Sequence, residues 1–276
     1  MTPLRQQKKI VQWWRVLSPV LLRLLITEAI GGILLYFLMG FSGNYEEAYY
    51  KNAVWITGVV GLLAAVPILF WYKKDSGARK IGGLTGKQEN LSMLEIATLV
   101  FMGAALSQMM NLILGIFSQV LDYQSYADSM SAMTDEMSLW LQIFWMGLIA
   151  PFAEEVVFRW LVFLRLQDYY KRGWAIVISG VLFGICHWNL LQALYASALG
   201  FVFAYILDMC GNVWSCVLLH IGANVWSLVY PIYGMYLIET EQTGIMLFIF
   251  IALLAILIVG LQMISAKGAM REKRSV

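Results

Sequence analysis

Apolar residues run along this chain in long unbroken blocks. A helix needs about 20 mostly apolar residues to cross the hydrocarbon core of a bilayer. Eight such blocks can be marked, at residues 16–41, 53–72, 92–120, 139–167, 174–188, 190–209, 212–237 and 244–264. The fifth is short and the sixth follows almost at once, so that pair can form a tight helical hairpin in place of two full crossings. The pattern predicts an all-α fold, a polytopic transmembrane bundle of about eight helices.

The polar residues gather between the blocks, and their sign alternates. Sixteen of the nineteen Lys and Arg residues lie at 1–15, 73–90, 165–173 and 265–276. The intervening loops carry acids: Glu46 and Glu47; Asp122, Asp128, Asp135 and Glu136; Glu239 and Glu241, with Lys51 the one basic residue among them. Basic loops stay on the cytoplasmic side, which places both termini there, and eight crossings agree with that placement. Basic tails beside a bilayer suit anionic headgroups, so membrane lipid is the first expected partner. Trp13, Trp14, Tyr49, Tyr50, Trp71, Tyr72, Tyr169 and Tyr170 sit near block ends, where aromatic side chains anchor a helix at the interface.

Residues 73–90 read as the clearest linker. The expected organisation is a two-span N-terminal region with its cytoplasmic loop (1–90), a third span and an extracytoplasmic loop (91–138), a polar-studded core (139–237), and a last span with a basic cytoplasmic tail (238–276). Asn90-Leu91-Ser92 matches a glycosylation acceptor but falls on the predicted cytoplasmic side, which discounts it. The apolar run behind the N-terminal bases is too long for a signal-peptide core and no small-residue cleavage site follows, so the first helix is expected to stay.

Composition agrees. The chain has 276 residues, 61% hydrophobic and 13% charged, with mean hydropathy +0.72. Soluble domains are about 45–50% apolar and about 25% charged, so a soluble globular protein is excluded. Disorder, which needs low hydrophobicity and high charge, is excluded too. The net charge of +2 is small, and no basic stripe supports nucleic-acid binding. Cys186, Cys210 and Cys216 lie in apolar segments and define no disulfide framework. Compact loops and strict charge alternation suggest a bacterial plasma membrane.

An ionisable side chain at mid-bilayer costs about 2.5–3.5 kcal/mol on insertion scales, so each one needs a reason. The fourth block buries Glu154, Glu155 and Arg159 within six residues. The fifth ends in His187, and the seventh holds His220 and Asn224; these are the only two histidines of the chain. Glu155 and Arg159 are spaced i, i+4 in the favourable order and read as a structural ion pair. Glu154 points about 100° away around the helix and has no partner on its own segment. A desolvated carboxyl of that kind is suited to general-base work. His220 and Asn224 share a face and can aim two donors at one oxygen. Phe183 lies one turn below His187 and can shield it. Pro151, three residues before Glu154, should kink the helix and free backbone carbonyls, and such breaks face protein or a watery cavity.

The ordered series E-E-x-x-x-R, F-x-x-x-H, H-x-x-x-N resembles the motif set of the CAAX-protease and bacteriocin-processing family of intramembrane glutamic endopeptidases, which includes the type II CAAX prenyl endopeptidases. The resemblance covers roughly residues 139–230; the earlier spans carry no matching motif. It implies a helical membrane fold with a polar cavity opening toward membrane and cytoplasm. It also implies that Glu154 and His187 activate a water, that His220 and Asn224 stabilise the oxyanion, and that Glu155, Arg159 and Phe183 support them. No metal, cofactor or covalent intermediate is implied, and the expected substrate is a peptide or membrane protein. Depth counting alone does not bring Glu154 and His187 level, since each falls late in a span of opposite direction. Helix tilt, the Pro151 kink or a deeper start of the fifth segment would do so.

Four other readings compete. Two histidines and a carboxylate could ligate zinc, though no H-E-x-x-H motif is present. A non-catalytic immunity factor or scaffold would bind a peptide or partner. A proton- or ion-coupled transporter would use the same buried groups as relays, but no inverted repeat is visible. Cys186 and His187, being adjacent, diverge too far around a helix to act together as a thiol pair.

Overall fold

The computed structural model describes residues 7–81, 89–117 and 123–275. These residues form nine helices and no strand. They are α1 (Lys9–Ser42), α2 (Tyr45–Ile81), α3 (Met93–Phe117), α4 (Tyr123–Thr134), α5 (139–169), α6 (Arg172–Ile185), α7 (Leu190–Cys210), α8 (Trp214–Glu239) and α9 (Thr243–Ser275). The bundle expected from the apolar blocks is therefore the observed architecture.

Six of the eight expected spans are helices long and apolar enough to cross a bilayer: α1, α2, α3, α7, α8 and α9. The fourth, α5, is a continuous rod that changes pitch. Ile143–Ile149 and Phe158–Phe163 are π-helical, and every junction keeps right-handed helical angles. The fifth, α6, has 14 residues. At about 1.5 Å per residue it rises about 21 Å, short of the roughly 30 Å of a bilayer core. It packs back on α7 as the tight hairpin the short block allowed.

Two boundaries differ from expectation. Residues 73–81, expected as linker, continue α2 as helix. Asp75 and Arg79 are spaced i, i+4 and pair with Arg165 and Asp168 of α5, which extends the packed face by a turn. The remainder, 82–88, lies outside the described residues. On the opposite side, part of the loop expected before 138 is the short helix α4, packed on α2. Ser92 begins α3 as a capping box: its N–H and Oγ donate to Glu95 Oε2 at 2.7 and 2.9 Å, and Glu95 N–H returns to Ser92 Oγ.

The core centres on the second half of α5. Val156, Val157, Phe158, Leu161, Val162 and Phe163 are fully buried. A helix apolar on all sides is one surrounded on all sides: α1 and α2 cover one flank, and α6, α7 and α8 the others. The basic residues read as topology signals also tie helix ends together. Arg79 grips Asp168 through two hydrogen bonds of 2.9 and 2.8 Å. Asp75 lies between Arg15 and Arg165, Arg172 meets Asp208 at 2.5 Å, and Lys267 meets Glu95 at 2.6 Å.

The closest crossing is that of α3 and α8. A Cβ on Gly222 would collide with the Val100 carbonyl, and one on Gly103 with the Leu219 carbonyl. Without a hydrophobic force between helices in lipid, such backbone approaches carry the packing. Gly222→Leu should therefore lower stability by at least the roughly 1–3 kcal/mol typical of overpacking. Thermal unfolding in detergent micelles measures it; a melting temperature equal to wild type would contradict the crossing.

Candidate active site

The helical hairpin of α5 and α6 settles the depth question. Its turn lies at Tyr170 and Lys171. Glu154 lies fifteen residues before Tyr169 and His187 fifteen after Arg172, so antiparallel packing brings the two level. A deeper start of the fifth segment is not needed. α6 ends at Ile185, and the bend that follows carries His187. Trp188 then takes a left-handed backbone with φ of 57°, a strained state for so bulky a residue. Asn189 closes the bend by accepting the Gln192 N–H at 3.1 Å to begin α7.

Phe183 is the hub of the site. Its ring meets His187 edge-on at 4.8 Å and His220 at 5.7 Å, and the Arg159 guanidinium lies 4.2 Å from its centre. Phe203, not anticipated from the sequence, completes the wall. It stacks on His220 at 4.6 Å and takes Arg159 on its face at 5.2 Å. Gly200 of α7 leaves room for this arrangement, since a Cβ there would press on Arg159 Nη2 and Phe183.

The expected ion pair is present. Arg159 Nη1 lies 3.1 Å from Glu155 Oε1, and both side chains are fully buried. The same Oε1 lies 2.9 Å from His220 Nδ1. A carboxylate held by arginine can only accept, so the imidazole donates from Nδ1 and turns Nε2 toward Glu154. Nε2 stands 3.9 Å from Glu154 Oε2, too far for a direct hydrogen bond. An oxygen about 2.8 Å from each would subtend about a right angle between them, so one reacting atom can touch both. His187 donates from Nδ1 to the Phe183 carbonyl at 2.9 Å, which leaves Nε2 to meet a ligand. No direct hydrogen bond joins His187 to Glu154, but the two lie within electrostatic reach.

Asn224 answers a different need. Pro151 has no N–H, and the helix before it widens, with Ala150 N–H reaching back five residues to Trp145 O. The next bond in that register would start at Pro151 and end on Met146 O. Asn224 Nδ2 donates to that carbonyl at 2.9 Å. The sequence led us to expect freed carbonyls near Pro151, and here the asparagine satisfies one. Asn224 and His220 thus each have one donor committed, to Met146 O and to Glu155. One amide hydrogen of Asn224 is left for a ligand.

Glu154 has the partner that its own segment lacked. Arg23 of α1 places Nη2 3.1 Å from Oε1, and the side chains are 16% and 15% exposed. Cys186 is half-buried and within electrostatic reach of both. Among the described residues no three of His, Cys, Asp and Glu are gathered as a metal would require.

Comparison with known proteins addresses the same segment. Residues 136–226 match the family described as Type II CAAX prenyl endopeptidase Rce1-like. Over 89 residues, 32% of this chain, it is 30% identical to the Bacillus subtilis (strain 168) protein named "Putative membrane peptidase YdiL". The match spans about a third of that relative's length, 36%. No solved structure matches the chain. The matched segment holds Glu154, Glu155, Arg159, Phe183, His187, His220 and Asn224. Residues 136–226, a third of the chain, are thus similar to the Rce1-like type II CAAX prenyl endopeptidases.

Proposed function

We propose that this protein is an intramembrane endopeptidase that hydrolyses peptide bonds of membrane-associated peptides or proteins with a water activated by Glu154 and His187. The observation that carries the reading is the approach of a partly exposed carboxylate, Glu154, to His220 Nε2 at 3.9 Å with His187 within electrostatic reach, in a segment similar to a peptidase family. A water between Glu154 and His187 gives up a proton to this pair as its oxygen bonds to the scissile carbonyl carbon. The carbonyl π electrons move to oxygen, and His220 with the free Asn224 hydrogen faces the resulting anion. With Nδ1–H bonded to Glu155, His220 can donate from Nε2 only as the imidazolium, whose charge Glu155 faces. Collapse of the tetrahedral intermediate breaks the C–N bond, and the stored proton passes to the leaving amine. Proton handling of this kind contributes about 10²–10⁴-fold, and donors aimed at an oxyanion act most strongly where water is scarce.

The mechanism is metal-independent. Arg23 and Arg159 already sit as permanent cations on the two carboxylates a metal would use. The bacterial relative favours a bacterial plasma membrane, and with it a peptide or bacteriocin precursor rather than a prenylated protein as substrate. A non-catalytic immunity or scaffold protein would need none of this geometry.

Comparative peptidomics of cells carrying the wild-type protein or Glu154→Gln tests the reading. Product peptides of one set of cleavage sites should vanish with the variant while the protein persists in the membrane. Their persistence at wild-type levels overturns the catalytic role. Loss of wild-type cleavage on chelation, restored by stoichiometric zinc, overturns the metal-independent mechanism.

A further inference from the structure

The family segment begins at residue 136, and nothing in the three motifs involves α1. α1 is otherwise a helix made for lipid. Of its 34 residues, Val16, Pro19, Val20 and Gly31 are buried. Arg23 continues the Val16–Val20 stripe at helical spacing, on the face that packs against α2 and α5. A guanidinium cannot shed its charge, and in an apolar span it has to be aimed at a partner or a cavity. Here the partner is the carboxylate proposed to do the chemistry.

The contact is directional. Nη2 donates to Oε1 of Glu154 at 3.1 Å, while the guanidinium carbon rests 5.4 Å from the Phe158 ring, on the face of α5 one turn below. Phe158 is fully buried and fixed, so the cation is braced from behind. A carboxylate held at one oxygen loses freedom about its terminal torsions. The other oxygen, Oε2, is the one that faces His220 Nε2 across 3.9 Å.

We propose that Arg23 is a positioning residue: by fixing Oε1 of Glu154 it turns Oε2 into the space shared with the two histidines, so α1 completes the active site. The inference rests on the reading of Glu154 as the base. It differs from two plainer roles for the pair. A merely structural ion pair would affect folding and leave turnover alone. A blocking latch would hold Glu154 back, and its removal would raise turnover.

The experiment uses the purified full chain in detergent. The probe is a synthetic peptide spanning a cleavage site whose product disappears with Glu154→Gln. Misplacement of a catalytic group by about 1 Å can cost about 10²-fold, so Arg23→Met should lower kcat about 10–100-fold. KM should stay within about threefold, because the lost interaction serves the transition state rather than binding. Arg23→Lys, which restores a cation, should recover most of the rate. A folded Arg23→Met chain with wild-type or raised kcat overturns the inference, as does a Lys chain no faster than Met. If the Met chain does not fold, Arg23→Lys and Arg23→Gln decide: a Lys chain at least about tenfold faster than Gln supports positioning, and equal rates overturn it. Normal activity in Glu154→Gln overturns the parent reading instead; an inactive Glu154→Gln beside a fully active Arg23→Met overturns only the role of Arg23.

Discussion

Purified Glu154→Gln protein will cleave its peptide about 10²–10⁴-fold more slowly than wild type, the usual contribution of a positioned acid–base group. The substitution is close to isosteric. The glutamine carbonyl can still accept from Arg23 Nη2, which lies 3.1 Å from Oε1, so the brace on α1 is kept. What is lost is the group proposed to take the proton from water and return it to the amine. The variant should therefore fold and bind normally while its turnover collapses. Replacing His187 would remove the second half of the same proton store and, since the two act as a unit, should add little to the loss in a double variant. A double variant as slow as the product of the two single losses would show that the two act independently.

Arg159→Met should destabilise the fold by about 3–5 kcal/mol, the cost of removing one partner from a buried ion pair. Arg159 and Glu155 are both fully buried. Methionine fills much of the space between Phe183 and Phe203 but leaves the Glu155 carboxylate with His220 and the buried Cys216 thiol and no arginine. The value of the pair is not its own attraction. Glu155 Oε2 and all three Arg159 nitrogens lack well-aligned hydrogen bonds, and a buried pair of that quality recovers its desolvation cost poorly. Removing both charges, as in Glu155→Leu with Arg159→Met, should thus cost far less than removing one. Unfolding in detergent micelles, followed for both single variants and the double, measures the coupling; additive losses would contradict it. The double variant should nonetheless be inactive, because His220 would lose the carboxylate that sets its tautomer.

Much of this site could be read from the sequence because charge in an apolar block is expensive. That one rule singled out Glu154, Glu155, Arg159 and both histidines, and i, i+4 spacing paired Glu155 with Arg159 correctly. The same rule applied to the first block would have found Arg23, which stands two turns inside it. It escaped because the two share no helix and lie 131 residues apart. Phe203 could not have been found this way, since an aromatic residue in a membrane helix is unremarkable until its neighbours are known. The commitment of Asn224 to Met146 O was half legible: Pro151 announced an orphaned carbonyl, but only the packing of α8 against α5 tells which side chain answers it. Helix ends were harder. The charged stretch after residue 73 looks like a loop by composition, yet Asp75 and Arg79 are solvated by partners on α5 rather than by water.

The turn at Tyr170 and Lys171 acts like the crease of a folded ruler. Each residue added between Glu154 and His187 would slide one mark past the other by about 1.5 Å and swing it about 100° around its rod. Apolar letters along both arms can be exchanged without moving the marks, but a change in their number moves them. The geometry proposed for catalysis is stored as a length.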